Sequence, residues 1–231
     1  MMALAEQPFN CAHCGKSFMK QKTLYAHMCE PKRRAMQKDE KRVQAGYMAF
    51  NRFYQLSQGA KVQKTYDEFC KTAYYNAFVK FGSFINNVNP LYPDKFIDFV
   101  IKSGVKLDHW CRDELYEQYL YEMLKVEPIE AAVQRSIATM LEWADENRAE
   151  YTHYFLYVNL NRATHDILNG RISCWLLLNC SSGKDMLSKF SDEQLDMIAP
   201  AIDMPYWVKK LRNNPADTAL VKEICKETGI A

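Results

Sequence analysis

Cys11 and Cys14 are separated by two residues, His27 follows Cys14 after twelve more, and Cys29 stands two positions beyond. The short gap lets a tight turn aim two thiolates at one point. The longer gap lets a short helix return an imidazole to that point, which is the spacing of a tetrahedral metal site. No other pattern in the chain restricts the fold so strongly. A unit of about 25 residues buries too little apolar surface to offset its chain entropy, so it needs a staple. Zinc is the expected ion, because structural zinc peptides bind it with apparent energies on the order of 10–16 kcal/mol. Eight cysteines in 231 residues are too few for a disulfide scaffold. Cys70, Cys111, Cys174, Cys180 and Cys225, scattered through apolar surroundings, read as small core residues.

Around the cluster, Phe9 stands two residues before Cys11, Phe18 four after Cys14, Leu24 six beyond Phe18, and His27 one helical turn after Leu24. In both residue type and spacing this segment resembles the C2H2 zinc-finger family, which implies a small ββα unit packed on Phe9, Phe18 and Leu24. The family's second histidine has no counterpart here: positions 31–33 are Pro31, Lys32 and Arg33, which leaves Cys29. The expected ligand set is therefore Cys11, Cys14, His27 and Cys29. Two residues along an ideal helix turn through about 200°. His27 and Cys29 can share an ion only if the helix ends between them, and Pro31 favours such an ending. His13 reads as exposed rather than coordinating.

The resemblance also implies contact with nucleic acid. The helix positions that fingers of this family use to read bases fall on Lys20, Thr23 and Ala26, and Ala26 can read almost nothing. Fingers that read sequence act in series, each covering about three base pairs. A single finger points to non-specific or structure-directed binding through phosphates.

Charge supports a polyanionic partner. Residues 1–64 hold 12 Lys and Arg against 4 Asp and Glu, a net of +8, whereas the remaining 167 residues carry −6. A helix is expected from about Ala35 to Leu56. At 100° per residue it would gather Arg34, Lys38, Lys41 and Arg42 on one free side and Val43, Tyr47, Phe50 and Tyr54 on a docking side. Lys16, Lys20, Lys22, Lys32 and Arg33 would extend that basic stripe across the finger, with Thr23 among the contacts.

Gly and Pro together number 16, about 7% against the roughly 12% of average usage, which disfavours turn-rich β folds. The chain is expected to be mainly α: a finger at 1–30, a basic amphipathic helix and linker at 31–64, and an all-helical body at 65–231. Capping signals mark helix starts at Thr65-Tyr66-Asp67-Glu68, Ser191-Asp192-Glu193-Gln194 and Asn214-Pro215. Expected helices run 66–82, 93–103, 109–125, 128–147, 150–168, 172–179, 192–200, 204–211 and 215–227. The many aromatics of 66–82 and 109–125 recur at spacings of three and four, which reads as core rather than as base-stacking platforms. Trp175-Leu176-Leu177-Leu178 reads as buried. No stretch reaches the roughly 18 apolar residues of a membrane span, and Met1 to Pro8 carries no readable secretory signal, so an intracellular protein is expected.

Catalytic patterns are not evident. Ser182-Gly183-Lys184-Asp185 lacks the first glycine and the Ser/Thr of a phosphate loop, and His109, His153 and His165 have no ligand-spaced partners. By its size, its helical body behind a basic N-terminal part, and the stretch Asn169-Gly170-Arg171-Ile172-Ser173 before Trp175, the chain is similar to the helicase-loading proteins of T4-type phages. That likeness implies branched or single-stranded DNA, a replicative helicase and a single-strand-binding protein as partners, in a host cytoplasm. The expectation is a non-enzymatic, zinc-containing nucleic-acid-binding accessory protein, with DNA favoured over RNA and no membrane or small-molecule substrate. The alternative is an assembly factor whose finger only braces the fold.

Overall fold

The computed structural model describes residues 8–230; the reading of residues 1–7 lies outside them. The described residues form a mainly α protein, with fifteen α-helices and one two-stranded sheet. None of these helices is long and apolar enough to cross a membrane. Two compact units divide the chain, residues 1–115 and 116–231.

The first unit opens with β1 (Phe9–Asn10) and β2 (Ser17–Phe18), antiparallel with Phe9 opposite Phe18, followed by α1 (Gln21–Ala26). Then come α2 (Glu30–Met36), α3 (Lys41–Gln58), α4 (Tyr66–Lys71), α5 (Tyr75–Val88) and α6 (Pro93–Lys102). The helix expected over 35–56 is therefore two helices, interrupted at 37–40. α2 docks on α4 while α3 docks on α5, and the side-chain amide of Gln44 donates to the Lys38 carbonyl that the break leaves open. The expected docking side of α3 holds: Val43 and Phe50 are buried, and Tyr47 and Tyr54 half-buried.

α3 and α5 approach closely because glycine faces glycine. A Cβ on Gly46 would lie 2.6 Å from the Phe78 carbonyl oxygen, and one on Gly82 would overlap the Arg42 carbonyl. Beside this crossing, Phe50, Phe69, Phe78, Phe81 and Trp110 form a tilted and edge-on aromatic core, with Phe69 and Phe50 centroids 5.1 Å apart and Phe81 and Trp110 also 5.1 Å apart. Phe69, Tyr75, Phe78 and Phe81 are thus core residues, while Tyr66 is half-buried and Tyr74 exposed.

The helix expected over 66–82 is likewise broken, at Thr72, whose backbone is extended (φ −65°, ψ 141°). Arg34 explains how the break is tolerated. Its Nη1 donates to the carbonyl oxygens of Cys70 (2.8 Å) and Thr72 (3.3 Å), placing a cation on the open carbonyls that end α4. The guanidinium carbon sits 4.4 Å from the Tyr75 ring centre, and Nη2 pairs with Glu30. The start of α4 carries the expected capping box, with the Glu68 carboxylate accepting from the Thr65 N–H at 2.8 Å.

The second unit begins within α7 (Asp113–Val126) and continues through α8 (Ile129–Asn147), α9 (Tyr154–Tyr157), α10 (Leu160–Leu168), α11 (Cys174–Leu177), α12 (Ser181–Leu187), α13 (Asp192–Ile202), α14 (Met204–Asn213) and α15 (Pro215–Thr228). Trp143, Tyr154, Trp175, Leu176, Leu177 and Trp207 lie in its core. Three expectations need correction. Residues 150–168 contain a 3₁₀ turn and two helices, because the buried Tyr154 hydroxyl turns back to Asp166 at 2.7 Å. Residues 181–187 form a helix that periodicity missed, with Ser182 donating to the Ile230 carbonyl at 2.9 Å and Gly183 packed against the Leu177 carbonyl. Asn214 precedes Pro215 as expected but does not cap α15; its amide donates back to the Lys210 carbonyl at 2.7 Å. The stretch 169–173 is a turn, with Gly170 at φ +67° and its carbonyl held by Arg135 Nε at 2.6 Å.

Gly82→Ala is expected to cost about 3 kcal/mol of unfolding free energy, since rigid backbone faces the added methyl; chemical denaturation measures it. The Thr65 N–H and Lys64 lower the Glu68 pKa to about 2. The capping box is therefore complete above the ordinary glutamate value and is lost as pH falls through about 2. A Thr65→Ala variant keeps the N–H but loses the hydroxyl that also donates to the Glu68 carboxylate at 3.0 Å, so an NMR titration should move the Glu68 midpoint upward.

Candidate metal centre

Local backbone geometry builds the cluster from both ends. Gly15, at φ +73°, closes the turn between the strands, with its N–H donating to the Cys11 carbonyl at 2.8 Å and the Cys11 N–H to the Lys16 carbonyl at 2.9 Å. That turn brings the Cys11 and Cys14 thiols to one side. α1 ends at Ala26, and His27 (ψ 120°) and Cys29 (ψ 162°) are extended, so neither belongs to an ideal helix. The required interruption exists, one residue earlier than expected. Pro31 acts differently from the expectation: it sits in the first turn of α2, where its missing N–H costs nothing, and Glu30 opens that helix with Cys29 as its N-cap residue.

The result is one compact set of donors. Sγ of Cys11, Cys14 and Cys29 and a ring nitrogen of His27 lie within 4.8 Å of one another. Cys11 Sγ is 3.9 Å from Cys29 Sγ, and Cys14 Sγ is 3.3 Å from His27 Nε2. Phe18 packs at a tilt against the His27 ring, centroids 4.8 Å apart, and Lys32 Nζ donates to the His27 carbonyl at 3.1 Å. His13 is exposed and lies outside the cluster.

The electrostatics favour a thiolate at Cys11 and oppose one at Cys14. Backbone N–H groups of His13 and Cys14 point at the Cys11 sulfur and lower its pKa. The Lys16 N–H acts the same way on Cys14, but desolvation and the neighbouring sulfurs of Cys11 and Cys29 raise that thiol overall. Two sulfurs so close do not both ionise readily without a cation between them. Four protein donors, three of them soft sulfur, can hold one four-coordinate metal ion.

The segment has little else to hold it. From residue 8 to 30 only Cys11 is buried; Phe18 and Leu24 are half-buried and Phe9 is exposed. The expected apolar trio therefore forms no sealed core.

The expected nucleic-acid contacts separate into distinct environments. Lys20, Lys22, Thr23, Arg33 and Lys41 are exposed. Lys16 and Lys38 are exposed too, each with its ammonium over a ring, Phe18 at 5.9 Å and Tyr66 at 5.6 Å. Arg42 is exposed and paired with Glu40 at 2.7 Å, and Lys32 is half-buried at the His27 carbonyl. Arg34 is inside: its side chain is 12% exposed and anchors α2 to α4. The break at 37–40 removes the single helical stripe on which Arg34, Lys38, Lys41 and Arg42 were aligned. Sequence reasoning also passed over Tyr25, an aromatic 72% exposed in α1. Its spacing of three from Lys22 was the available signal.

No protein-family model matches the chain, and neither the curated proteins nor the solved structures contain a match.

Cys29→Ala is expected to weaken metal binding beyond the roughly 10–100-fold that loss of an outer-sphere partner costs, while His13→Ala leaves it unchanged. Cobalt(II) titration with chelator competition checks both.

Proposed function

We propose that the chain is a zinc-stabilised nucleic-acid-binding accessory protein in which the N-terminal module grips phosphates and performs no chemistry on them. The observation that carries this reading is a closed Cys-Cys-His-Cys donor set within a segment that lacks acid groups. From Pro8 to Cys29 there is no Asp or Glu, while Lys16, Lys20 and Lys22 project from it.

Zinc fits the donors. A tetrahedral ion with Zn–S bonds of about 2.3 Å sets sulfurs about 3.8 Å apart, and sulfur and nitrogen about 3.6 Å apart. Cys11 and Cys29 are 3.9 Å apart, and Cys14 and His27 3.3 Å. Four protein ligands leave no open coordination position, which favours a structural ion over a catalytic one. The module is read as a C2H2-like finger whose last histidine is replaced by Cys29.

Lys20, Lys22, Arg33 and Lys41 supply the phosphate contacts, with Lys16, Lys38 and Arg42 as further cations and Arg34 reassigned to holding the fold. Ala26 and the six-residue length of α1 argue against base readout in a groove. DNA is favoured over RNA, and a replicative helicase and a single-strand-binding protein are the protein partners, both carried by the resemblance to phage helicase loaders.

Elemental analysis of purified protein should give one zinc per chain, lost in Cys11→Ser. Binding to DNA should weaken steeply with salt. A Lys20→Ala, Lys22→Ala, Arg33→Ala variant should flatten the dependence of log K on log salt by about 2–3, at roughly 0.7–0.9 per phosphate contact. Salt-insensitive binding, or none, would favour a protein-docking module instead.

A further inference from the structure

α1 has two distinct sides. Leu24 is half-buried and His27, just past the end of α1, belongs to the donor cluster, whereas Lys22 and Tyr25, three positions apart and so on a common face, are exposed. Tyr25 is 72% exposed. Its hydroxyl accepts from Gln21 Nε2 at 3.2 Å across one helical turn, which ties the end of the ring to the helix. Tyr47 and Tyr66 of the first unit serve packing: both are half-buried, with hydroxyls donating to the Lys64 and Arg34 carbonyls at 2.7 Å each. Tyr74 and Tyr157, also exposed, lie in other parts of the chain. Tyr25 alone among these stands within the acid-free segment, between Lys20 and Lys22 on one side and Arg33 on the other in sequence.

We propose that Tyr25 is a stacking platform for an unpaired base, so that the substrate of the cationic module is single-stranded nucleic acid rather than intact duplex; this deepens the nucleic-acid reading and rests on it. An exposed ring beside exposed lysines is the pairing of groups that single-strand binders use: cations follow the backbone and a π-face takes any base. In a duplex both faces of each base are already stacked, and the ring would meet only sugar and phosphate. A ring face stacks on every base alike and makes no hydrogen bond to a base edge. Binding at this site is therefore tolerant of sequence.

Fluorescence anisotropy on the zinc-loaded full chain tests this with three 20-nucleotide probes: a mixed-sequence single strand, an abasic strand of equal length and charge, and a blunt duplex. Tyr25→Ala should weaken binding of the mixed-sequence strand by at least about fivefold, with Tyr25→Phe within about twofold of the parent. Binding of the abasic strand and the duplex, zinc content and the salt slope should not change. Equal affinity of parent and Tyr25→Ala for the mixed-sequence strand, or an equal loss on the abasic strand, overturns the stacking proposal and leaves the phosphate-binding reading intact. No binding of any probe at low salt overturns both.

Discussion

The N-terminal segment depends on four donor atoms converging where almost nothing else is buried. Cys11 is the one buried side chain from residue 8 to 30, and the strands either side of it are two residues long. Neither backbone pairing over two residues nor the half-buried Phe18 and Leu24 can offset the entropy of ordering the chain there. A metal ion held by these donors would supply attraction on the scale required. The lysines, α1 and Tyr25 all inherit their positions from that convergence.

A second constraint joins the module to the helices that follow. Arg34 satisfies carbonyls at the end of α4, lies against Tyr75 and pairs with Glu30, so one cation fastens α2 where two short helices would otherwise leave polar groups open. A guanidinium suits the task because its planar fork donates in several directions while its face packs on an aromatic ring. The same residue cannot then be offered to phosphate.

Much of the metal centre was legible in the sequence, because ligand spacing is a local property: Cys11, Cys14, His27 and even the anomalous Cys29 follow from counting residues. The mainly helical fold, the capping boxes at Thr65 and Ser191 and the buried Trp175 to Leu177 were legible for the same reason. Helix breaks were not. At 37–40 and at Thr72 no Gly or Pro interrupts the chain, and the breaks arise because neighbouring segments dock on different partners. Periodicity cannot register a carbonyl that is capped by an arginine 36 residues away, as Cys70 is by Arg34. The close crossing at Gly46 and Gly82 is equally a property of two helices meeting rather than of either one.

Cys29 holds two offices at once, donor to the cluster and N-cap residue of α2. Four residues separate it from Arg34, so the phase of α2 is set by the cluster at one end and by the α4 carbonyls at the other. Inserting a single residue between them would rotate the guanidinium about 100° around the helix axis and lift it by about 1.5 Å. The stretch from Cys29 to Arg34 is therefore indexed like a gear tooth, and length changes there are far less tolerable than residue exchanges at the exposed Arg33.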